Sequence, residues 1–190
     1  EVISEKLEDY ENYNIPITVN IGPTPSREID LEKTVSLFQK NEKVDRVELC
    51  ISCPNTYDKE GKIDQRKEYQ GQLDEMIKII FNSSDKELYI KISPDIEEKE
   101  IDEVLEVCNG KVTGFTLTNT STKFSDKGGI SGEILYQESF YVQKKFYEKI
   151  KKDDLNFDII ACGGIDSIER LKARQNFGAT GIQIYTPLIF

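Results

Sequence analysis

Cys53 is the side chain whose type and place most invite chemistry. It closes the stretch Val47-Glu48-Leu49-Cys50-Ile51-Ser52-Cys53-Pro54-Asn55-Thr56. Val47, Leu49 and Ile51 alternate with Glu48, Cys50 and Ser52, the period of a strand with two different faces. Pro54 cannot donate to a sheet ladder, so the strand is expected to end near Cys53. That puts a thiol at a carboxyl-terminal strand end, where α/β proteins gather their chemistry. Such a thiol serves as a base when its pKa is lowered and it is partly exposed; otherwise it is a small apolar filler. Cys50 and Cys53 also form a CxxC. Residues three apart on a strand point to opposite faces, and no second pair follows, so a redox or metal reading is weak. The sequence has no histidine, which removes Ser-His-Asp and Cys-His catalysis and most zinc sites.

Lys91 is the second candidate. It stands inside the apolar run Leu88-Tyr89-Ile90-Lys91-Ile92, where an unused ammonium is costly. Asn55 and Asn119 each carry donor and acceptor on one group, suited to a ring of alternating N–H and C=O. A plain turn role is the alternative for each.

The elements that must position these groups read as alternating strands and helices. Residues 1–14 look like the end of a helix entered partway, so the native chain is expected to begin earlier. Strands are expected at 15–21, 44–52, 88–92, 114–119, 158–162 and 181–186. Helices are expected at 28–40, over the stripe Leu73, Met76, Ile77, Ile80 and Phe81, over Ile101, Val104, Leu105 and Cys108, at 134–152 with Val142, Phe146 and Ile150 inward, and at 167–177 with Gly178 as the stop. Residues 57–67 are charged and read as an exposed loop, either a lid or a solvated connection. Residues 120–133 form a Gly/Ser/Thr loop.

Strands joined by helix-length connections imply a parallel sheet. A doubly wound sheet would carry an early GxGxxG, and none is present. A (β/α)8 barrel keeps its phosphate site after its last two strands, and here those end at Gly163-Gly164 and Tyr185-Thr186. The expected fold is therefore a (β/α)8 TIM barrel, incomplete, in one partial domain spanning 1–190, with about six βα units and the first two strands and last helix missing. At 190 residues it is shorter than the usual barrel of about 250.

Composition narrows the partners. Twenty-five Lys+Arg against 35 Asp+Glu give a net charge of −10, which argues against a nucleic-acid binder. No apolar run approaches about 18 residues, so no transmembrane segment is expected. Cys108 on a helix core face and Cys162 in an apolar strand suit a reducing, cytoplasmic setting. Open sheet edges favour self-association as a homodimer.

The stretch Glu48-Leu49-Cys50-Ile51-Ser52-Cys53-Pro54-Asn55 resembles the catalytic-loop motif of the dihydroorotate dehydrogenase family, E-L-N-[LIV]-S-[CS]-P-N. Six further motifs follow in family order: Asn20-Ile21-Gly22; Tyr89-Ile90-Lys91-Ile92-Ser93-Pro94-Asp95; Thr118-Asn119-Thr120; Gly128-Gly129-Ile130-Ser131-Gly132; Ile160-Ala161-Cys162-Gly163-Gly164-Ile165; and Gly178-Ala179 with Gln183-Ile184-Tyr185-Thr186. The resemblance implies FMN as cofactor and oxidation of dihydroorotate to orotate in pyrimidine biosynthesis. A proton leaves C5 and a hydride leaves C6 for the flavin.

It makes Cys53 the catalytic base and Asn55, Asn119 and Thr120 substrate-binding. Asn20, Lys91, Thr118, Gly129, Ser131, Gly132, Gly163, Gly164, Tyr185 and Thr186 would hold the cofactor. Lys91 would lie under the flavin N1/O2 edge, and the glycines would let backbone N–H groups reach the phosphate. Cys50 replaces the family's substrate-touching Asn. Cys53 resembles the soluble branches, which use fumarate or NAD. Asn20-Ile21-Gly22, Ser93-Pro94-Asp95 and Thr118-Asn119-Thr120 look more like the quinone branch, so the electron acceptor stays open among the three. Two other readings remain: an inactive fragment or pseudoenzyme acting as a binding protein, and another FMN-barrel oxidoreductase such as a dihydropyrimidine dehydrogenase-like domain.

Overall fold

The computed structural model describes residues 6–7, 16–22, 27–52, 71–123 and 128–189. Cys53, Asn55, the 57–67 loop and most of the expected N-terminal helix lie outside the described residues.

Among the described residues six strands form one parallel sheet in sequential order: β1 (Ile17–Ile21), β2 (Val44–Cys50), β3 (Glu87–Ile92), β4 (Gly114–Leu117), β5 (Asp158–Cys162) and β6 (Ala179–Gln183). Helices alternate with them: α1 (Arg27–Gln39), α2 (Leu73–Ser83), α3 (Glu98–Cys108), α4 (Tyr136–Lys152), entered through a 3-10 turn at Glu133–Leu135, and α5 (Ile168–Asn176). Each helix packs beside the next from α1 to α4. Strictly sequential strand order with every crossover parallel is the topology of a barrel wall. The wall is curled, because Gln183 on β6 reaches Glu48 on β2 at 2.9 Å. The result is a half-barrel whose edges, among the described residues, are β1 and β6.

The central strands β2 to β4 are buried on both faces over most of their length, whereas β1 and β6 stay partly exposed. The outer face meets the helices through Leu49, Ile90, Phe115 and Leu117, all fully buried. Phe115 stacks at 5.0 Å on Phe146 of α4 and at 4.9 Å on Phe157. Helix α2 buries Leu73, Met76, Ile77 and Ile80, the i, i+3, i+4, i+7 set. Helix α3 buries Ile101, Val104, Leu105 and Cys108, and a capping box between Glu97 and Glu100 starts it. Ser167 caps α5, and Gly178 at φ +77° ends it, where a Cβ would strike the Tyr147 ring.

Four expectations need correction. Phe81 is not part of the buried stripe: it lies in the last turn of α2, at the edge of the helical face that Leu73, Met76, Ile77 and Ile80 bury, and is 68% exposed. Strand β2 ends at Cys50, before Ser52. Strand β4 ends at Leu117 rather than Asn119, although Thr118 N–H still reaches the Cys162 carbonyl and Asn119 N–H that of Ile92, both at 2.8 Å. The last strand runs Ala179–Gln183 rather than 181–186, because Gly178 feeds the chain directly into the ladder and Pro187 then belongs to a 3-10 turn.

Candidate functional site

The inner face of the half-barrel carries a polar layer that begins with Glu48. Its carboxylate is buried, yet every acceptor direction is used. Asn20 Nδ2 donates at 2.6 Å and Lys91 Nζ at 3.3 Å to one oxygen; Gln183 Nε2 at 2.9 Å and the Thr116 hydroxyl donate to the other. Lys91 also donates to Gln183 Oε1 at 2.9 Å. Four donors, one of them cationic, are what a carboxylate needs to stay charged out of water. Lys91 is therefore not a lone cation in an apolar strand, as the sequence suggested.

Above this layer, at the carboxyl ends of β3 to β6, lies a cleft of about 640 Å³. Lys91, Thr118, Asn119 and Thr120 line one side, Ser131, Gly132, Gly163 and Gly164 another, and Tyr185 and Thr186 the rim. Ten of the fourteen residues singled out from sequence thus meet in one cavity. Gly129 is exposed and stands outside that lining, and Asn20 serves Glu48 instead. Cys53 and Asn55 lie outside the described residues.

Two tethers shape the Asn119 side. Asn119 Nδ2 donates to the Ser52 carbonyl at 3.1 Å and meets Cys50 Sγ at 3.5 Å. The Ser52 hydroxyl donates to the Lys91 carbonyl at 3.0 Å. Ser52 is thereby anchored to both β3 and the Thr118–Thr120 turn. Cys162 faces the same cleft, and burial pushes its thiol above the ordinary range, against the opposing pull of Lys91. It is a neutral thiol rather than a nucleophile.

The opposite side is built for an anion. Three successive carbonyls after β5 are held from behind. Ser139 Oγ donates to Cys162 O at 2.5 Å, Arg174 to Gly163 O at 2.7 Å, and Arg170 to Gly164 O at 3.0 Å. These peptide bonds are trans, so each following N–H points the other way. Gly163, Gly164 and Ile165 all line the cleft, and the Gly163 N–H also meets the Cys162 thiol. Glycine is required twice: Gly163 and Gly164 have φ +104° and +69°, and a Cβ would sit 2.7 Å from Ser139 Oγ and from the Tyr136 backbone respectively. Ser131 Oγ lies 3.1 Å from Thr186 Oγ1, adding two hydroxyls. The cleft thus has glycine backbone and hydroxyls at one end and the Lys91 ammonium at another.

Sequence reasoning missed Thr116, Gln183, Ser139, Arg170 and Arg174. Glu48 and Gln183 lay within quoted motifs, and their polarity inside apolar strands was a usable signal. Arg174 gave none, because an Arg on a charged helix reads as solvated.

A curled parallel β/α wall with its cleft at the carboxyl strand ends defines a member of the TIM-barrel class. Comparison with known proteins narrows this. The family model described as dihydroorotate dehydrogenase matches residues 1–190. A dihydroorotate dehydrogenase (quinone) of Nitratiruptor sp. is 31% identical over 204 residues, covering 100% of this chain and 55% of that protein. The counterpart in Nautilia profundicola is 30% identical over 207 residues, covering 100% and 54%. Among solved structures, DHODH from Eimeria tenella in complex with ferulenol aligns with a TM-score of 0.82 at 21% identity, over 98% of this chain and 58% of that one. The chain belongs to the dihydroorotate dehydrogenase family. It spans about half the length of the relatives it matches.

Proposed function

We propose that the intact protein oxidises dihydroorotate to orotate with FMN, and passes the electrons to a quinone. The observation that carries this reading is the cleft itself, with Lys91 and Asn119 on one side and the backbone of Gly163 to Ile165 on the other. The quinone-type relatives support the acceptor, ahead of fumarate or NAD.

FMN held by these residues would supply the hydride acceptor for C6. Cys53, as thiolate, takes the C5 proton, so that the C5–C6 double bond of orotate forms. Asn55, Asn119 and Thr120 hold the substrate ring by its alternating donors and acceptors. Lys91, fixed by Glu48 and Gln183, places positive charge where negative charge develops. Thr118 lines the ring portion, while Ser131, Gly132, Gly163, Gly164, Tyr185 and Thr186 take the phosphate end; Gly129 acts through the conformation of the Ser131 loop and Asn20 through Glu48. Among the described residues no helix is long and apolar enough to cross a membrane.

The test is the visible absorbance of the intact protein with FMN, followed by dihydroorotate without oxygen. Bleaching, then recovery on adding a quinone but not fumarate or NAD, is the expected result. Cys50, at the position of the family's Asn, favours one second reading: a relative that binds flavin as an interaction protein without turnover. Bound flavin that dihydroorotate never bleaches would establish that reading instead.

A further inference from the structure

Arg174 is fully buried on α5, directly behind the Gly163-Gly164 loop. A buried guanidinium is ordinarily matched by a carboxylate. Among the described residues none pairs with it. Its partners are neutral: Gln143 Oε1 at 2.9 Å, Ser139 Oγ at 2.6 Å and Gly163 O at 2.7 Å. The Tyr136 and Phe140 rings lie 5.3 and 5.2 Å from its carbon. Its Nε has no hydrogen-bond partner. The contrast with Arg170 on the same helix is direct, because Arg170 is paired with both Asp166 and Glu133.

Gln143 fixes this arrangement. Its amide nitrogen donates to the carbonyls of Arg174 and Phe177, both at 2.9 Å, so its oxygen is turned to the guanidinium. Ser139 relays the same cation to Cys162 O. One positive charge therefore holds two successive carbonyls, one directly and one through a hydroxyl. Both carbonyls belong to the loop that lines the cleft, so a single peptide plane separates Arg174 from the cleft wall. The fold leaves a charge unmatched from within at the one place where an anion from outside would match it.

We propose that Arg174 is the positioning residue that sets the cleft's affinity for a dianionic phosphate terminus: it orients the Gly163 and Gly164 amides and supplies their positive field without touching the ligand. This rests on the FMN reading above and goes beyond it, since it assigns the phosphate preference to a residue outside the cleft. Burial lowers the Arg174 pKa to about 10, the direction expected of a cation short of negative charge.

The test compares FMN with riboflavin, which lacks the phosphate, by fluorescence titration of the intact apoprotein. Wild type is expected to prefer FMN. Arg174→Gln should weaken FMN binding about tenfold or more and leave riboflavin within about threefold, because only the phosphate feels the missing charge. Arg174→Lys should keep most of the preference. Gln143→Glu keeps Arg174 but gives it a carboxylate partner, and should lower the preference in the same direction; it carries the test if Arg174→Gln does not fold. Equal loss of both flavins, or an unchanged ratio in the variants, overturns the role of Arg174 alone. A wild type that binds FMN no better than riboflavin instead defeats the phosphate site on which the inference stands.

Discussion

Lys91 Nζ lies 3.3 Å from Glu48 Oε1 on the neighbouring strand, with the two side chains only 15% and 2% exposed. The pair is the centre of a network that ties β1, β2, β3, β4 and β6 together through Asn20, Thr116 and Gln183. Removing one partner strands the other charge. Lys91→Met should therefore cost about 3 kcal/mol in urea unfolding, and the double variant with Glu48→Gln should recover at least about 1 kcal/mol of the summed losses. Additive losses would mean that the ion pair is not the organising contact of the layer.

The Gly164 turn offers a steric test. A Cβ there would meet the Tyr136 backbone at 2.7 Å, and φ is +69°. Neither the helix nor the loop can yield without moving the carbonyls of the Gly163-Gly164 loop. Gly164→Ala should cost about 2 kcal/mol or more, whereas Gly110→Ala, at φ +71° with open space around it, should cost about 1 kcal/mol. Equal losses in thermal melts would show that the clash is relieved.

Most of the fold was legible because helix stripes and strand runs have different periods, and Ile101, Val104, Leu105 and Cys108 all proved buried. Phe81 failed because helical spacing alone does not say how wide the buried face is. The candidate site was legible as motifs, and ten of its residues share one cleft. What holds them was not. Glu48 sits in an alternating strand whose two faces are both buried, so alternation could not reveal that one face is a lumen. Arg174 acts through tertiary contacts to α4 and the β5 loop, 31 and 11 residues away in sequence, which no local pattern encodes.

Tyr89 carries a pH signature. Its hydroxyl donates to Asp158 Oδ2 at 3.1 Å. Burial, helped by the Asp158 charge, pushes the phenol up to about 12, above the ordinary 10. A group raised in the folded state contributes stability that is complete below the unfolded value and is lost as pH rises through the folded one. Tyr89→Phe should cost about 1 kcal/mol near neutrality and flatten the loss of stability between pH 10 and 12, read as the difference between wild-type and variant unfolding curves. Parallel curves would mean that the phenol is not linked to folding.

The base assignment is tested by Cys53→Ala. The flavin contacts proposed above do not involve Cys53, so FMN binding should be unchanged. Dihydroorotate oxidation should fall by at least about a hundredfold, the scale of a lost general base. Turnover within a few-fold of wild type would remove Cys53 from the mechanism.

Cys50→Asn asks whether the position is a lost substrate contact. Cys50 is buried, and its sulfur lies 3.5 Å from Asn119 Nδ2 and 3.9 Å from the Ser52 hydroxyl. A thiol offers a weak donor and a weak acceptor, so Asn119 spends its amide on Cys50 Sγ and the Ser52 carbonyl. An Asn at 50 brings a carboxamide into a site whose neighbours are already polar, and that carboxamide can hydrogen-bond both to Asn119 and toward the substrate ring. The expected result is tighter dihydroorotate or orotate binding, by about tenfold for one good hydrogen bond, with FMN affinity unchanged. Orotate titration of the FMN-loaded protein reads this directly. Unchanged orotate affinity would mean that Cys50 does not face the substrate, and would favour the reading in which this cleft binds flavin without catalysing the oxidation.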